Sequence, residues 1–268
     1  MYESDTWALV LAAGDSGRRY DGSLLEAALG HADVVAGSNR TSVVLDEQHR
    51  EWWQASLGFL PPANVIVQPR NRGTANAILL PLLHIIEREP EANIVLLPCD
   101  RPLCPEAILA GALHKAVEQL PWRLAEIVLL GIQPEEGEPE LGYIIPGSGD
   151  GKGALTVGCF IEKPPPAVAG QLIRVGALWN AFIAVSSAQG LLALFKARIP
   201  EIVRSMRMAV KRDLDSNAAA ASTVKLFEQL PTIDFARDIL PGQQRHLRVL
   251  PVPRSEPLVA PVVLSHCV

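Results

Sequence analysis

The feature that most constrains this chain is a regular exchange between two hydrophobic periods. Residues 6–12 (TWALVLA), 41–45 (TSVVL), 64–67 (NVIV), 93–99 (NIVLLPC) and 126–132 (EIVLLGI) are short, continuous runs rich in Val, Ile and Leu. Such runs suit strands covered on both faces. Between them, residues 47–57, 74–87 and 105–119 carry helical spacing, and the last of these opens on Pro105, a residue suited to a first helical turn because it has no N–H to leave unpaired. Strands that alternate with helices predict an α/β architecture around a mostly parallel sheet.

The texture changes at Gly142. Residues 142–146 (GYIIP) and 155–162 (LTVGCFIE) read as extended, Pro164-Pro165-Pro166 breaks the pattern, and 177–185 (ALWNAFIAV) reads as a further strand followed by a helix over 191–199. This half is expected to form an α+β lobe against the first sheet. Residues 213–223, polar and alanine-rich, read as a mobile connection or a helix start, and 247–253 (LRVLPVP) as a final strand. The expected division is one domain over 1–250 and an irregular tail over 251–268, where four prolines fall and periodicity fades.

Composition narrows the function classes. The chain has 268 residues, a net charge of -5, 49% hydrophobic and 20% charged residues. This is the profile of a globular protein with a sizeable core, and the acidic balance speaks against a nucleic-acid or anionic-membrane partner. Four cysteines without a CxxC pair support neither a disulfide framework nor a zinc site. The first residues lack the basic start of a signal peptide, and no apolar run approaches the roughly 18–20 residues of a membrane span, so a cytoplasmic setting is expected. Function must lie in a local site.

Several segments could build one. Leu11-Ala12-Ala13-Gly14-Asp15-Ser16-Gly17-Arg18-Arg19 follows the first strand. Its small residues let backbone N–H groups approach an anion, and its arginines add bidentate donors. It matches neither the Walker A nor the Gly-x-Gly-x-x-Gly pattern, and taken alone it is equally a solvated turn. Gln68-Pro69-Arg70-Asn71-Arg72-Gly73-Thr74-Ala75 leads from strand to helix, with Thr74 placed to cap the helix. Asp100 follows a buried strand in Leu97-Pro98-Cys99-Asp100, where a carboxylate serves either a turn or Mg²⁺.

Taken in order, these segments resemble the sugar nucleotidyltransferase family, and most of all mannose-1-phosphate guanylyltransferases. LAAGDSGR (11–18) is similar to the signature Leu-Ala-Gly/Ala-Gly-x-Gly-Thr-Arg, QPRNRGTA (68–75) to Glu-Pro-x-x-Arg-x-Thr-Ala, and LPCD (97–100) to the Pro-x-Asp metal segment. Gly142-Tyr143-Ile144, Phe160-Ile161-Glu162-Lys163-Pro164 and Trp179-Asn180-Ala181 resemble the sugar-side segments. The resemblance spans about residues 6–240. It implies a three-layer, Rossmann-like α/β fold with a mixed, mostly parallel sheet and a small α+β sugar-binding lobe.

It also implies an activity: transfer of a nucleotidyl group from an NTP, GTP above others, to a sugar 1-phosphate, with mannose 1-phosphate foremost, and release of pyrophosphate. Leu11, Ala12, Ala13, Gly14, Ser16, Gly17, Gln68, Arg72, Thr74 and Ala75 would hold the nucleotide. Gly142, Glu162, Lys163 and Asn180 would hold the sugar phosphate. Arg18, Asp100 and Lys163 would be catalytic, with Mg²⁺ on Asp100. The partners implied are small-molecule substrates, with a homo-oligomer left open.

The chain departs from the pattern in two places. No lysine lies within 18–36, where the family has a Pro-Lys pair, and Arg19 and Arg40 are the cations at hand. The family's Trp-x-Asp-x-Gly is absent after residue 247, leaving Asp234, and less directly Glu256, as the second metal carboxylate. Asp234 is equally placed to cap a following helix. The competing expectations are a related binding protein without turnover, and a glycosyltransferase, for which Asp213-Leu214-Asp215 would be the only Asp-x-Asp motif.

Overall fold

The computed structural model describes residues 5–12, 22–49, 56–99, 105–120, 127–149, 151, 153–216 and 220–254. Among the described residues nine strands form one sheet: β1 (Thr6–Ala12), β2 (Thr41–Asp46), β3 (Val65–Gln68), β4 (Asn93–Pro98), β5 (Ile127–Ile132), β6 (Tyr143–Gly149), β7 (Leu155–Ile161), β8 (Leu178–Ser187) and β9 (Leu247–Val252). Their order is β3-β2-β1-β4-β8-β5-β9-β7-β6, with β6 also paired to β8. The pairs β1–β2, β1–β4, β2–β3 and β5–β9 are parallel, and the rest are antiparallel. The sheet is therefore mixed, but parallel only in its first block and where β9 returns beside β5. The antiparallel share comes from β8, which enters between β4 and β5, and from the β6–β7 hairpin.

Strand periodicity builds the layers. Trp7, Leu9 and Leu11 of β1 enter one core, together with Ile94 and Leu96 of β4 and Ile127 and Leu129 of β5. The alternate residues Ala8 and Val10, Val95 and Leu97, and Val128 and Leu130 enter a second core on the other face. Successive strand side chains point to opposite faces, so continuous apolar runs require helices on both sides. The first core is covered by α2 (Thr74–Arg88), α5 (Ala188–Arg198) and α6 (Pro200–Ser216), and the second by α1 (Gly22–Val35), α3 (Glu106–Glu118) and α4 (Pro166–Arg174). A last helix, α7 (Ala221–Gln229), packs on α6 and buries Phe227.

Several sequence expectations shift. Helix α1 was not anticipated, although Leu25, Ala28, Leu29, Ala32 and Val35 bury a stripe with helical spacing. The helix expected over 47–57 begins as a 3₁₀ turn at Glu47–His49, and 50–55 lie outside the described residues. Helix α2 is capped by Gly73 rather than Thr74, and α3 begins at Glu106 with Pro105 at the cap. The stretch 213–223 joins α6 to α7: both Asp213 carboxylate oxygens accept N–H groups at the start of α7, from Ser222 at 2.8 Å and Thr223 at 2.9 Å. Asp213 is thus a helix cap, which removes the Asp-x-Asp basis for the glycosyltransferase reading.

Candidate active site

Strand register assembles the sugar-side segments. Tyr143 of β6 pairs with Ile161 of β7 on one side and with Trp179 of β8 on the other. One step along these antiparallel ladders sets Gly142 beside both Glu162 and Asn180. The Asn180 N–H donates to the Gly142 carbonyl at 2.8 Å. A Cβ on Gly142 would lie 2.5 Å from Glu162 Oε2 and 3.5 Å from Asn180 Cβ, so only glycine lets the carboxylate lie over the strand end. Behind them, buried Trp179 donates through Nε1 to the Tyr143 hydroxyl at 3.1 Å.

Two backbone irregularities flank this cluster. Lys163 adopts a left-handed φ of 44° and Phe182 one of 57°. Non-glycine residues rarely occupy this region, and when they do the surrounding structure holds them there. Phe182 sits in a bulge of β8, where register shifts between Leu129 and Gly131 of β5. The Asn180 Oδ1 accepts from the Phe182 N–H at 3.1 Å. The Phe182 ring meets Phe235 edge-on at 5.9 Å, next to Asp234.

The carboxylates here are close enough to influence one another. Burial against the strand end raises the Glu162 pKa, and the Asp234 charge raises it further, with Lys163 and Arg237 acting the other way. Arg237 was not anticipated from sequence. Asp234 caps the short π-helical turn Phe235–Ile239: its Oδ1 accepts the Arg237 N–H at 2.8 Å and its Oδ2 the Thr74 hydroxyl at 3.1 Å. Both oxygens are thus engaged by the chain itself. Among the described residues no group of three or more His, Cys, Asp and Glu is placed to hold a metal ion. Asp234 is thus a cap as well as a candidate metal ligand, and Asp100 lies outside the described residues.

The segments expected to hold a nucleotide lie at the carboxyl ends of the parallel strands, where open α/β sheets bind ligands. Leu11 and Ala12 end β1 and are buried. Ala13, Gly14, Ser16, Gly17 and Arg18 lie outside the described residues. Strands β2 and β3 end at Asp46 and Gln68, directly opposite each other. Beyond them opens a cleft of about 380 Å³ lined by Asp46, Glu47, Gln48, Pro69, Arg70, Asn71 and Arg72. Gln68 is buried and donates through Nε2 to Asp46 Oδ1.

The other residues of the second nucleotide segment are tied into the chain. Arg72 donates through Nε and Nη2 to the Phe227 and Glu228 carbonyls, both at 2.9 Å, near the last turn of α7. The Thr74 hydroxyl also accepts the Phe235 N–H at 2.8 Å, and the buried Ala75 N–H donates to Ile233. These contacts carry the nucleotide segment to Asp234, and through Asp234 to Glu162. Sequence reasoning brought Gly142, Glu162 and Asn180 to one place but missed Asp46, whose signal is only its position at the end of a parallel strand beside Gln68.

Comparison with known proteins fits this geometry. A nucleotidyl transferase family model matches residues 20–221. The chain belongs to that family. Xanthan biosynthesis protein XanB of Xanthomonas campestris pv. campestris strain B100 is 30% identical over 201 residues, covering 72% of this chain and 41% of that protein. Mannose-1-phosphate guanylyltransferase RfbM of Salmonella typhimurium is 30% identical over 180 residues, covering 66% and 36%. The chain thus spans about two-fifths of the length of the curated relatives it matches. A solved structure described as mannose-1-phosphate geranyltransferase from Thermus thermophilus superposes with a TM-score of 0.78 at 24% identity, covering 94% of this chain and 75% of that one. One described as mannose-6-phosphate isomerase from Helicobacter pylori reaches 0.69 at 18%, covering 92% and 97%. At such identities they establish the fold. Among the described residues no helix is long and apolar enough to cross a membrane.

Proposed function

We propose that this family member transfers a nucleotidyl group from an NTP, preferentially GTP, to a sugar 1-phosphate, preferentially mannose 1-phosphate, and releases pyrophosphate. The observation that carries the reading is the convergence of Gly142, Glu162 and Asn180 from three adjoining strands, with Asp234 linking them to Thr74 on the nucleotide side.

The division of labour follows from chemistry. Glu162 and Asn180 bind sugar hydroxyls, and Lys163 meets the sugar phosphate. An oxygen of that phosphate attacks the α-phosphorus in line while the bond to pyrophosphate breaks, a reaction that needs positioning and charge stabilisation and no enzyme nucleophile. Arg18, with the N–H groups of 12–17, stabilises the charge that builds on the phosphoryl oxygens. Leu11, Gln68, Arg72 and Ala75 shape the nucleotide side, the last two by bracing the β3–α2 turn. Mg²⁺, with Asp100 and Asp234 as candidate ligands and Glu256 as a weaker one, would supply charge neutralisation across the phosphates.

The deciding experiment is pyrophosphate release by the purified protein with Mg²⁺, a panel of sugar 1-phosphates and the four NTPs. Release with at least one pair, lost in Arg18→Ala and Asp100→Ala, is expected. No release from any pair, with GTP or mannose 1-phosphate still raising the melting temperature, would leave a binding protein without turnover, a reading favoured by the engagement of both Asp234 oxygens in capping.

A further inference from the structure

Helix α6 carries charge of the opposite sign to the molecule as a whole. The chain has a net charge of -5, yet residues 196–212 hold six Lys and Arg against one carboxylate, Glu201. Four of the six, Lys196 from α5 and Arg204, Arg207 and Lys211 from α6, line a cleft of about 360 Å³. Its apolar part is Pro200, Val203 and Met208; Val203 is buried, while Met208 is 50% exposed. Lys196 and Lys211 are exposed and have no carboxylate partner among the described residues. Arg204 pairs with Glu201 of its own helix and Arg207 with Glu87 of α2 at 2.9 Å, but the arginine side chains remain 67% and 50% exposed. Ion pairs so open to water hold their partners weakly. A solvated helix face explains the charge but not the apolar cleft that the charge surrounds.

The spacing of the lining selects what fits. From Pro200 to Lys211 its residues recur every three or four positions, which puts them on one face of α6 over three turns, about 17 Å. The α6 cations, Arg204, Arg207 and Lys211, come once per turn. A facing helix repeats at the same interval, so carboxylates one turn apart on it meet these cations in register while its apolar residues cover Met208. Methionine is flexible and polarizable, which suits it to such a contact. A flat anionic membrane matches a cleft poorly, and a nucleic-acid backbone has nothing to place on an apolar floor. We propose that this groove docks an acidic amphipathic helix of a partner protein, whose carboxylates pair with Lys196, Arg204, Arg207 and Lys211 and whose apolar face covers Pro200, Val203 and Met208. None of these residues belongs to the candidate active site, so the proposal stands apart from the transferase reading.

The probe is a fluorescent helical peptide of about 18 residues, with leucine every three or four positions and glutamate beside each leucine. Its controls are the same composition scrambled and the same sequence with glutamine for glutamate. Fluorescence anisotropy with the intact protein is expected to favour the acidic amphipathic peptide over each control by about tenfold or more, with the preference shrinking as salt rises. Lys196→Glu combined with Lys211→Glu, both at exposed positions, should weaken that peptide by about tenfold or more, and Met208→Ser by about threefold. Equal affinity for the scrambled peptide overturns the proposal on the wild-type protein alone, as does unchanged affinity in the double variant at an unchanged melting temperature. Two further results also overturn it by giving the groove another occupant. One is tighter binding to phosphatidylserine vesicles than to the peptide; the other is a dimer in sedimentation, in either case lost in the double variant. The transferase reading survives each of these outcomes.

Discussion

Glu162 shows how a group proposed to bind substrate can weigh against the fold that carries it. Its pKa is raised by burial against Gly142 and then by the Asp234 charge. The folded state therefore holds the Glu162 proton more tightly than the unfolded chain does. The sign follows: below the unfolded pKa there is no cost, and as pH rises from that value through the folded pKa, stability falls and then levels off. Since the side chain, though partly desolvated by its neighbours, still has much of its surface open to water, the effect is screened and small. Glu162→Gln should raise the melting temperature at neutral pH relative to the parent, with the gain vanishing as the pH falls below the unfolded carboxylate range, while the KM for sugar 1-phosphate rises. A gain that persisted unchanged at low pH would show that the charge is not its cause. Gly142→Ala tests the same contact from beneath. Its Cβ would press on Glu162 Oε2 at 2.5 Å, and because the neighbour is a side chain that can rotate away, the expected result is a raised KM with stability lowered by no more than about 1–3 kcal/mol. Steady-state kinetics and urea denaturation separate the two effects.

At the scale of elements, the β3–α2 turn shows what can be read from the sequence and what cannot. The motif Gln68–Ala75 is legible as a strand-to-helix turn with either a capping or a ligand-binding role, but its spacing says nothing of a distant partner in the chain. Arg72, Thr74 and Ala75 in fact join this turn to residues 227–235, about 160 positions later in the chain. Contacts of that range leave no local period, so the sequence does not display them. The Asp46–Gln68 pair is hidden for a related reason, since it depends on the β2–β3 register. Conversely, Gly142, Glu162 and Asn180 are legible because each sits in a short motif at the end of or within an apolar strand. Helix α1 is harder to see because its buried stripe includes Ala28 and Ala32, small residues that mark a core face weakly. Gly73 has φ +82°, and a Cβ there would meet the Ile233 carbonyl oxygen at 2.2 Å, a backbone atom that cannot turn aside. Gly73→Ala should therefore destabilise by about 3 kcal/mol or more, since overpacking and left-handed strain act together. Arg72→Lys should cost about 1 kcal/mol, because an ammonium cannot span two carbonyls as the guanidinium fork does. Urea unfolding of both variants checks the order; equal losses would mean that the close approach at Gly73 carries no special weight.

For the whole molecule, the position of β8 decides whether the sugar side is a separable lobe. Ala184 of this strand pairs with Leu96 of β4 and with Leu129 of β5, so residues beyond 177 fill the gap between two strands that come early in the chain. Strand β9 closes the other side of β5 in the same way. Both apolar cores run across this junction: one holds Leu9, Leu96, Leu129, Ala184 and Val249, the other Val10, Val95, Val128, Val185 and Leu250. The nucleotide half alone would thus expose unpaired strand edges and apolar surface on both faces, an arrangement that favours aggregation over folding. A fragment ending at residue 140 should be insoluble or unfolded by circular dichroism. The full chain should lose secondary structure and tryptophan signal in one coincident urea transition. Two resolved transitions, or a soluble, cooperatively folding fragment, would require the halves to be independent despite the shared strand. The same continuity bears on function, because opening the sugar side by pivoting it as a rigid body would break the β4–β8 and β5–β8 ladders. Movement during turnover is therefore expected in the loops beyond the strand ends, and amide hydrogen exchange should stay slow in β8 with and without both substrates.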